Sequence, residues 1–193
     1  SHTKSKSRVF FAVNSAVFSS DGKCILVASG DKTARIWDAM TGEPVTEPLQ
    51  HNDRVNSAVF SPNGKYVVTA SNDSTARVWD AATGKPVTEP LQHNDWVRSA
   101  VFSPDGKYVV TASDDKTARV WDAMTGEAVT EPLQHNKYVN SAVFSPDGKY
   151  VVTIVAKDAT NPKAGADGIG SVIDVIEEEQ ITGSISSVPG LSL

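Results

Sequence analysis

SAVFSPNGKYVVTASNDSTARVWDAATGKPVTEPLQ, residues 57–92, recurs at 99–134 as SAVFSPDGKYVVTASDDKTARVWDAMTGEAVTEPLQ. With the connections that follow them, units 57–98 and 99–140 agree at 33 of 42 positions. The period extends outward in both directions. Trp37, Trp79 and Trp121 stand 42 residues apart, each followed by Asp, and His51, His93 and His135 keep the same spacing. SAVF opens a unit at 15, 57, 99 and 141. Self-similarity at such a period is the mark of a repeat architecture, in which one small unit cannot bury its apolar surface alone and neighbours cover it.

Each unit reads as four short strands separated by turn signals. In the second unit these are SAVF (57–60), YVVTAS (66–71), TARVWD (75–80) and PVTEPLQ (86–92). SPNGK, Asn72-Asp73-Ser74 and AATGK supply the turns, and Pro90 assigns the fourth strand to an edge, because proline cannot donate to a ladder. No segment has convincing helical periodicity.

Composition narrows the function classes. The chain has 193 residues, 39% hydrophobic and 21% charged, with 18 basic against 23 acidic residues and a net charge of −5. That balance argues against a general nucleic-acid binder, which needs a basic face to neutralise phosphates. No apolar run reaches the roughly 18–20 residues that span a bilayer, so no membrane partner is expected. A single cysteine, Cys24, excludes an intrachain disulfide framework and a multi-cysteine zinc site; a reducing, cytoplasmic setting is expected. The opening SHTKSKSRVFFAVNSAVF has a basic start and an apolar run, as a signal peptide has. VNSAVF, however, returns at 55–60 and 139–144, which makes it structural.

Four-stranded units with a Trp-Asp pair and a phased histidine resemble the WD-repeat family of β-propellers. The resemblance is strong over about 15–155 and weaker over 156–186. It implies an all-β fold of four-stranded antiparallel blades, four per chain, at approximately 15–50, 57–92, 99–134 and 141–186, behind a leader at 1–14. The fourth unit departs after Thr153: Ile173-Asp174 takes the place of Trp-Asp, and about ten residues are inserted at about 156–170. The alternative is that the end of the chain forms no blade.

In this family a Trp, a Ser or Thr, an Asp and a His form a hydrogen-bonded chain within a blade. Matching positions are His51, Thr69, Asp73 and Trp79 in the second blade, and His93, Thr111, Asp115 and Trp121 in the third. The first blade has Val27 for the Thr and Val9 for the preceding His; the fourth has His135 and Thr153 but Ile173 for the Trp. An Asp-His-Thr group imitates a nucleophile triad and three histidines suggest zinc, but the hydroxyls sit within strands without an oxyanion donor nearby. One histidine per blade also separates the three beyond the reach of bonds near 2 Å. No catalytic residue, metal site or cofactor is expected. The Gly165, Gly168 and Gly170 stretch lacks the strand–turn–helix setting of a phosphate cradle, and Glu177 to Glu179 read as a solvated turn.

The copies differ most in Asp95-Trp96-Val97-Arg98 against Lys137-Tyr138-Val139-Asn140. The resemblance implies that residues three and five after the histidine line the narrow face at the central opening, where partners bind: Arg54 and Asn56, Trp96 and Arg98, Tyr138 and Asn140, with Ala12 and Asn14 in the leader. Gly30, Asn72 and Asp114 share that face. Trp, Tyr and Arg dominate binding hot spots. The expectation is a non-enzymatic scaffold for a protein or peptide. The alternatives are an amplified or engineered repeat protein without an evolved partner, and a small-ligand binder at the channel. Rings of this family have about seven or eight blades, so a homodimer completing one eight-bladed ring is expected, with Val9-Phe10-Phe11 and the fourth unit adapted to the junctions; the alternatives are a four-bladed monomer, a larger ring, or a segment of a longer protein.

Overall fold

The computed structural model describes residues 12–155 and the backbone of 168–174. Val9, Phe10, Phe11, most of the 156–170 insertion and the Glu177 to Glu179 run lie outside the described residues. Those described are all-β, without a helix.

The first sheet is β1 (Val13–Phe18), β2 (Cys24–Ser29), β3 (Thr33–Asp38) and β4 (Leu49–Gln50). The second is β5 (Val55–Phe60), β6 (Tyr66–Ser71), β7 (Thr75–Asp80) and β8 (Leu91–Gln92). The third is β9 (Val97–Phe102), β10 (Tyr108–Ser113), β11 (Thr117–Asp122) and β12 (Leu133–Gln134). In the fourth, β13 (Val139–Phe144), β14 (Tyr150–Val155) and β15 (Gly168–Asp174) form three antiparallel strands. The four-stranded sheets take their strands in chain order, so no strand crosses between sheets. In the fourth, Val151 pairs with Ile173 as Val67 pairs with Trp79 in the second. Gly168 to Gly170, expected in the inserted loop, belong to β15.

Turn chemistry sets the strand boundaries. In the first hairpin of the second sheet, Tyr66 N–H donates to Ser61 Oγ (3.0 Å), that hydroxyl donates to Asn63 Oδ1 (2.8 Å), and Gly64 supplies the left-handed backbone at φ +70°. After β7, Asp80 Oδ1 accepts from the N–H of Thr83 (2.8 Å) and Ala82 (3.1 Å). The dipeptide thus divides its labour: Trp79 packs between sheets while Asp80 ends the strand. The fourth strand is shorter than the run 86–92. Only Leu91 and Gln92 form it, with a lone bridge from Pro86 to Trp79; Pro90 lacks the N–H that a ladder requires, and the third sheet, with Ala128 in place of Pro86 but Pro132 retained, has the same short strand and bridge.

Successive sheets pack face to face. One face of the first (Leu26, Ala28, Ala34, Ile36, Leu49) covers one face of the second (Val55, Ala58, Val67, Trp79), and the pattern repeats at the next two junctions. Their first strands lie side by side in the order β1, β5, β9, β13. This is a propeller-like row of blades. Among the described residues no comparable packing joins β1 to β13, and both ends are bare. Val13 is 64% exposed, whereas Val55, Val97 and Val139 in the same place are fully buried. At the far end Val143 and Tyr150 are each 41% exposed.

The junctions also constrain the outer turns. Gly42 and Gly84 share φ near +70°, but a Cβ on Gly84 would meet Thr46 Cβ at 3.0 Å, whereas one on Gly42 meets nothing within 4 Å. Gly42→Ala is expected to cost about 1–2 kcal/mol for the left-handed backbone alone, and Gly84→Ala about 1 kcal/mol more for crowding the neighbouring blade. Urea titrations of both variants check this; equal midpoints would remove the junction contribution.

Candidate functional site

Two sets of polar side chains recur in phase, one sealed between blades and one at the start of each first strand. The sealed set begins at the tight turn after β6. Ser74 occupies the left-handed region at φ +67°, uncommon for a side-chain-bearing residue. Asp73 holds it there: its Oδ1 accepts from Thr75 Oγ1 (2.6 Å) and Thr75 N–H (3.0 Å). The Ser74 carbonyl, so turned, accepts the His93 N–H at 2.9 Å and fixes the next connection.

His51 follows β4 and reaches into the second sheet. Its Nδ1 lies 2.9 Å from Asp73 Oδ2 and its Nε2 2.7 Å from Thr69 Oγ1, which accepts the Trp79 indole N–H at 2.9 Å. The donor sequence assigns one tautomer: Nδ1–H donates to the carboxylate and Nε2 accepts from the threonine hydroxyl. His93, Asp115, Thr111 and Trp121 repeat the arrangement at the same distances. Since each histidine sits on the connection between two sheets, the chain spans the junction rather than a single blade. Burial pushes the His51 imidazole below its ordinary value, against the pull of Asp73. Burial also opposes ionisation of Asp73, but hydrogen bonds from His51, Thr75 and the Asn52 N–H outweigh it and hold the carboxyl well below the usual range. Asp115 is held likewise by His93, Thr117 and the Asn94 N–H.

This group has the connectivity of an acid–base–hydroxyl relay, yet it is closed to substrates. Thr69 and Thr111 are fully buried, His51 and His93 are 2% exposed, and each hydroxyl already accepts an indole N–H. In the fourth blade the buried Nε2 of His135 has no hydrogen-bond partner among the described residues. Among these residues no three His, Cys, Asp or Glu side chains gather as metal ligands.

The second set lies on β-bulges. The register slips by one residue between Val13 and Ser15, Val55 and Ser57, Val97 and Ser99, and Val139 and Ser141. The extra residues are Asn14, Asn56, Arg98 and Asn140. A bulge re-aims a side chain out of the ladder, so these positions escape the packing that holds their neighbours constant. Asn14 Nδ2 donates to the Val55 carbonyl of the next blade at 2.7 Å, and Asn56 Nδ2 to that of Val97 at 2.8 Å. Asn56 also donates to Asn72 Oδ1 at 2.7 Å. In the third blade both members change together: Arg98 makes a two-pronged ion pair with Asp114, Nε to Oδ1 at 2.7 Å and Nη2 to Oδ2. Asn56 is therefore engaged between blades, Arg98 is tied to a nearly buried carboxylate, and Asn140 is exposed. The joint change of positions 56/98 and 72/114 was the sequence signal for this pairing.

Before each bulge stands Arg54, Trp96 or Tyr138. Trp96 is 43% and Tyr138 51% exposed. The Arg98 guanidinium carbon lies 5.1 Å from the Trp96 ring centroid, a cation–π contact that stiffens the indole. Arg54 is exposed and its guanidinium lies over Gly30, the site that carries Asn72 or Asp114 in later blades.

The family model described as WD domain, G-beta repeat matches residues 4–38, 42–80, 84–122 and 126–169. The chain belongs to the WD-repeat family. Each of the first three matches ends on a Trp-Asp pair, so the family unit runs one strand out of step with the sheets and gathers His51, Thr69, Asp73 and Trp79 into one match, 42–80. WD repeats generally serve as protein-interaction scaffolds and typically carry no enzymatic activity. A comparison with curated proteins gives no significant match.

Two substitutions separate the roles of the indole. Trp79→Ala is expected to cost about 3–5 kcal/mol for the lost ring. Trp79→Phe keeps most of the packing but leaves Thr69 without its donor, at about 1 kcal/mol beyond the volume change. Chemical denaturation distinguishes them; a loss below about 1 kcal/mol for Trp79→Ala would contradict its place in the junction.

Proposed function

We propose that the chain is a non-enzymatic scaffold that holds a protein or peptide against Trp96, Tyr138, Arg54, Arg98 and Asn140, with Asn56 bracing the rim from below. The observation that carries this is the pair of half-exposed aromatic side chains, Trp96 and Tyr138, at the same place in adjacent blades. Large, rigid and amphipathic groups of this kind give contact area at small entropic cost. The bulges support the reading, since they take these side chains out of the ladder and turn them toward the rim. The single, partly buried Cys24 fits work in a reducing compartment such as the cytosol.

Two copies close one eight-bladed ring in this proposal. The bare face at the β1 end has the residue pattern that interior blades present to the blade before them. At the β14 end Val152 stands where they present Val68 or Val110 to the blade after, with Ile154 in place of Ala70 or Ala112. Two arcs related by a two-fold axis satisfy both.

Peptides selected from a display library on the wild-type protein test the surface. Trp96→Ala and Tyr138→Ala are expected to abolish capture while leaving the melting temperature unchanged, because neither truncation strands a buried group. Arg98→Ala is unsuited, since it would leave Asp114, only 8% exposed, without its cation. Undiminished capture by both variants would end the claim. For the ring, light scattering during size-exclusion chromatography is expected to give twice the chain mass of 20.5 kDa; the mass of a single chain would refute closure by a second copy.

A further inference from the structure

We propose that the junction between the first and second sheets holds a binding slot for one small monocyclic phenol, on the side of the blades away from the bulges. The proposal is independent of the protein-binding surface above.

The slot follows from comparing equivalent positions. Tyr66 packs against the apolar cluster of the second junction, which includes Ala123 and which Phe102 also covers, and Tyr108 occupies the equivalent place at the third. At the first junction that position is Cys24, beside Phe60 and Ala81. A second shortening coincides with it. Ala82 lines the first junction, whereas the residue after the corresponding Ala123 is Met124. The effect is visible on the neighbouring alanine: Ala123 is fully buried, and Ala81 is left partly exposed.

A cleft of about 320 Å³ results, open to solvent on one side. Its lining combines the buried Ile36 with Phe60 and the exposed Val45, and includes Asp21 and Asn63. An enclosed apolar cavity of roughly 150 Å³ already accommodates benzene, so size admits a single ring with a short substituent. Asp21 is ionised: the Ser19 hydroxyl and the Lys23 N–H lower its pKa from the usual carboxylate value. A carboxylate and a carboxamide in the lining of an apolar slot suit a ring with one hydroxyl. That is the chemistry of the tyrosine side chain that fills the other two junctions.

The probe is p-cresol, the tyrosine side chain as a free molecule. With the wild-type protein it is expected to raise the melting temperature saturably and to shift the NMR signals of Ala81 and Phe60. Cys24→Tyr restores the ring that packs at the other junctions, Ala82→Met lays a half-exposed side chain over the opening as Met124 does at the second junction, and each is expected to lose both responses. Trp96→Ala, on the other surface, is expected to keep them. Should Cys24→Tyr fail to fold, Ala82→Met and the site-resolved NMR shifts still decide. Responses that do not saturate, or that persist in the filled variants, would overturn the proposal.

Discussion

Each sheet of this chain is apolar on both faces, and everything else follows from the need to cover them. Val55, Ala58 and Val67 are fully buried only because the first sheet lies against them; their counterparts Val13 and Ala16, with no sheet in front, are exposed. A strand whose two faces are both packed cannot drift in sequence. That is why VVTAS and TARVWD persist unchanged between the second and third units while turns and bulges vary. The same packing sets a requirement for partners on the polar groups carried into a junction, since an unpaired buried group costs about 1–3 kcal/mol.

The His-Asp-Thr-Trp chain meets that requirement without help from solvent. Its direction, indole to hydroxyl to imidazole to carboxylate, uses each donor once and gives both ring nitrogens of the histidine a partner. Because His51 comes from the connection after β4 and its three partners from the second sheet, the chain also fixes where one blade ends relative to the next. Beside the turn that carries Asp73, at the start of the first strand, the bulge has the opposite result: it takes one residue per blade out of the ladder and turns it toward the rim. Closure of the sealed set and exposure at the bulges are two consequences of one geometry.

Much of this was legible in the chain itself. The period, the strand segments, the turns and the residues of the sealed chain are local or phased features that repetition makes conspicuous. What was not legible depended on contacts between distant positions. The fourth strand is only Leu91–Gln92, directly after Pro90, and it is as short in the third sheet, where Ala128 replaces Pro86. Asn56, read as a rim residue, turned out to donate to Val97 O, a carbonyl one repeat away. Arg98 found Asp114, and the two could be paired only by noticing that their counterparts Asn56 and Asn72 change with them. The cleft at Cys24 needed two shortenings, at 24 and 82, that lie in different units and meet only when the blades stack.

The three junctions, built from nearly the same residues, are consequently unequal. The second is complete: Tyr66 seals it, Leu91 is buried, His93 has both partners, and Asn56 crosses to Val97. The first has the Asn14 crossing and the full His51 chain but lacks the tyrosine. At the third, Arg98 turns to Asp114 in its own blade, Leu133 is only partly buried, and His135 Nε2 has no partner among the described residues. Arg98 thus shows the cost of specialisation at a bulge. The substitution that sets a guanidinium against Trp96 at the rim also removes the side chain that tied this blade to the next. A repeat protein can vary its surface freely only where the varied residue was not also a brace, and in this chain the bulge residue is both.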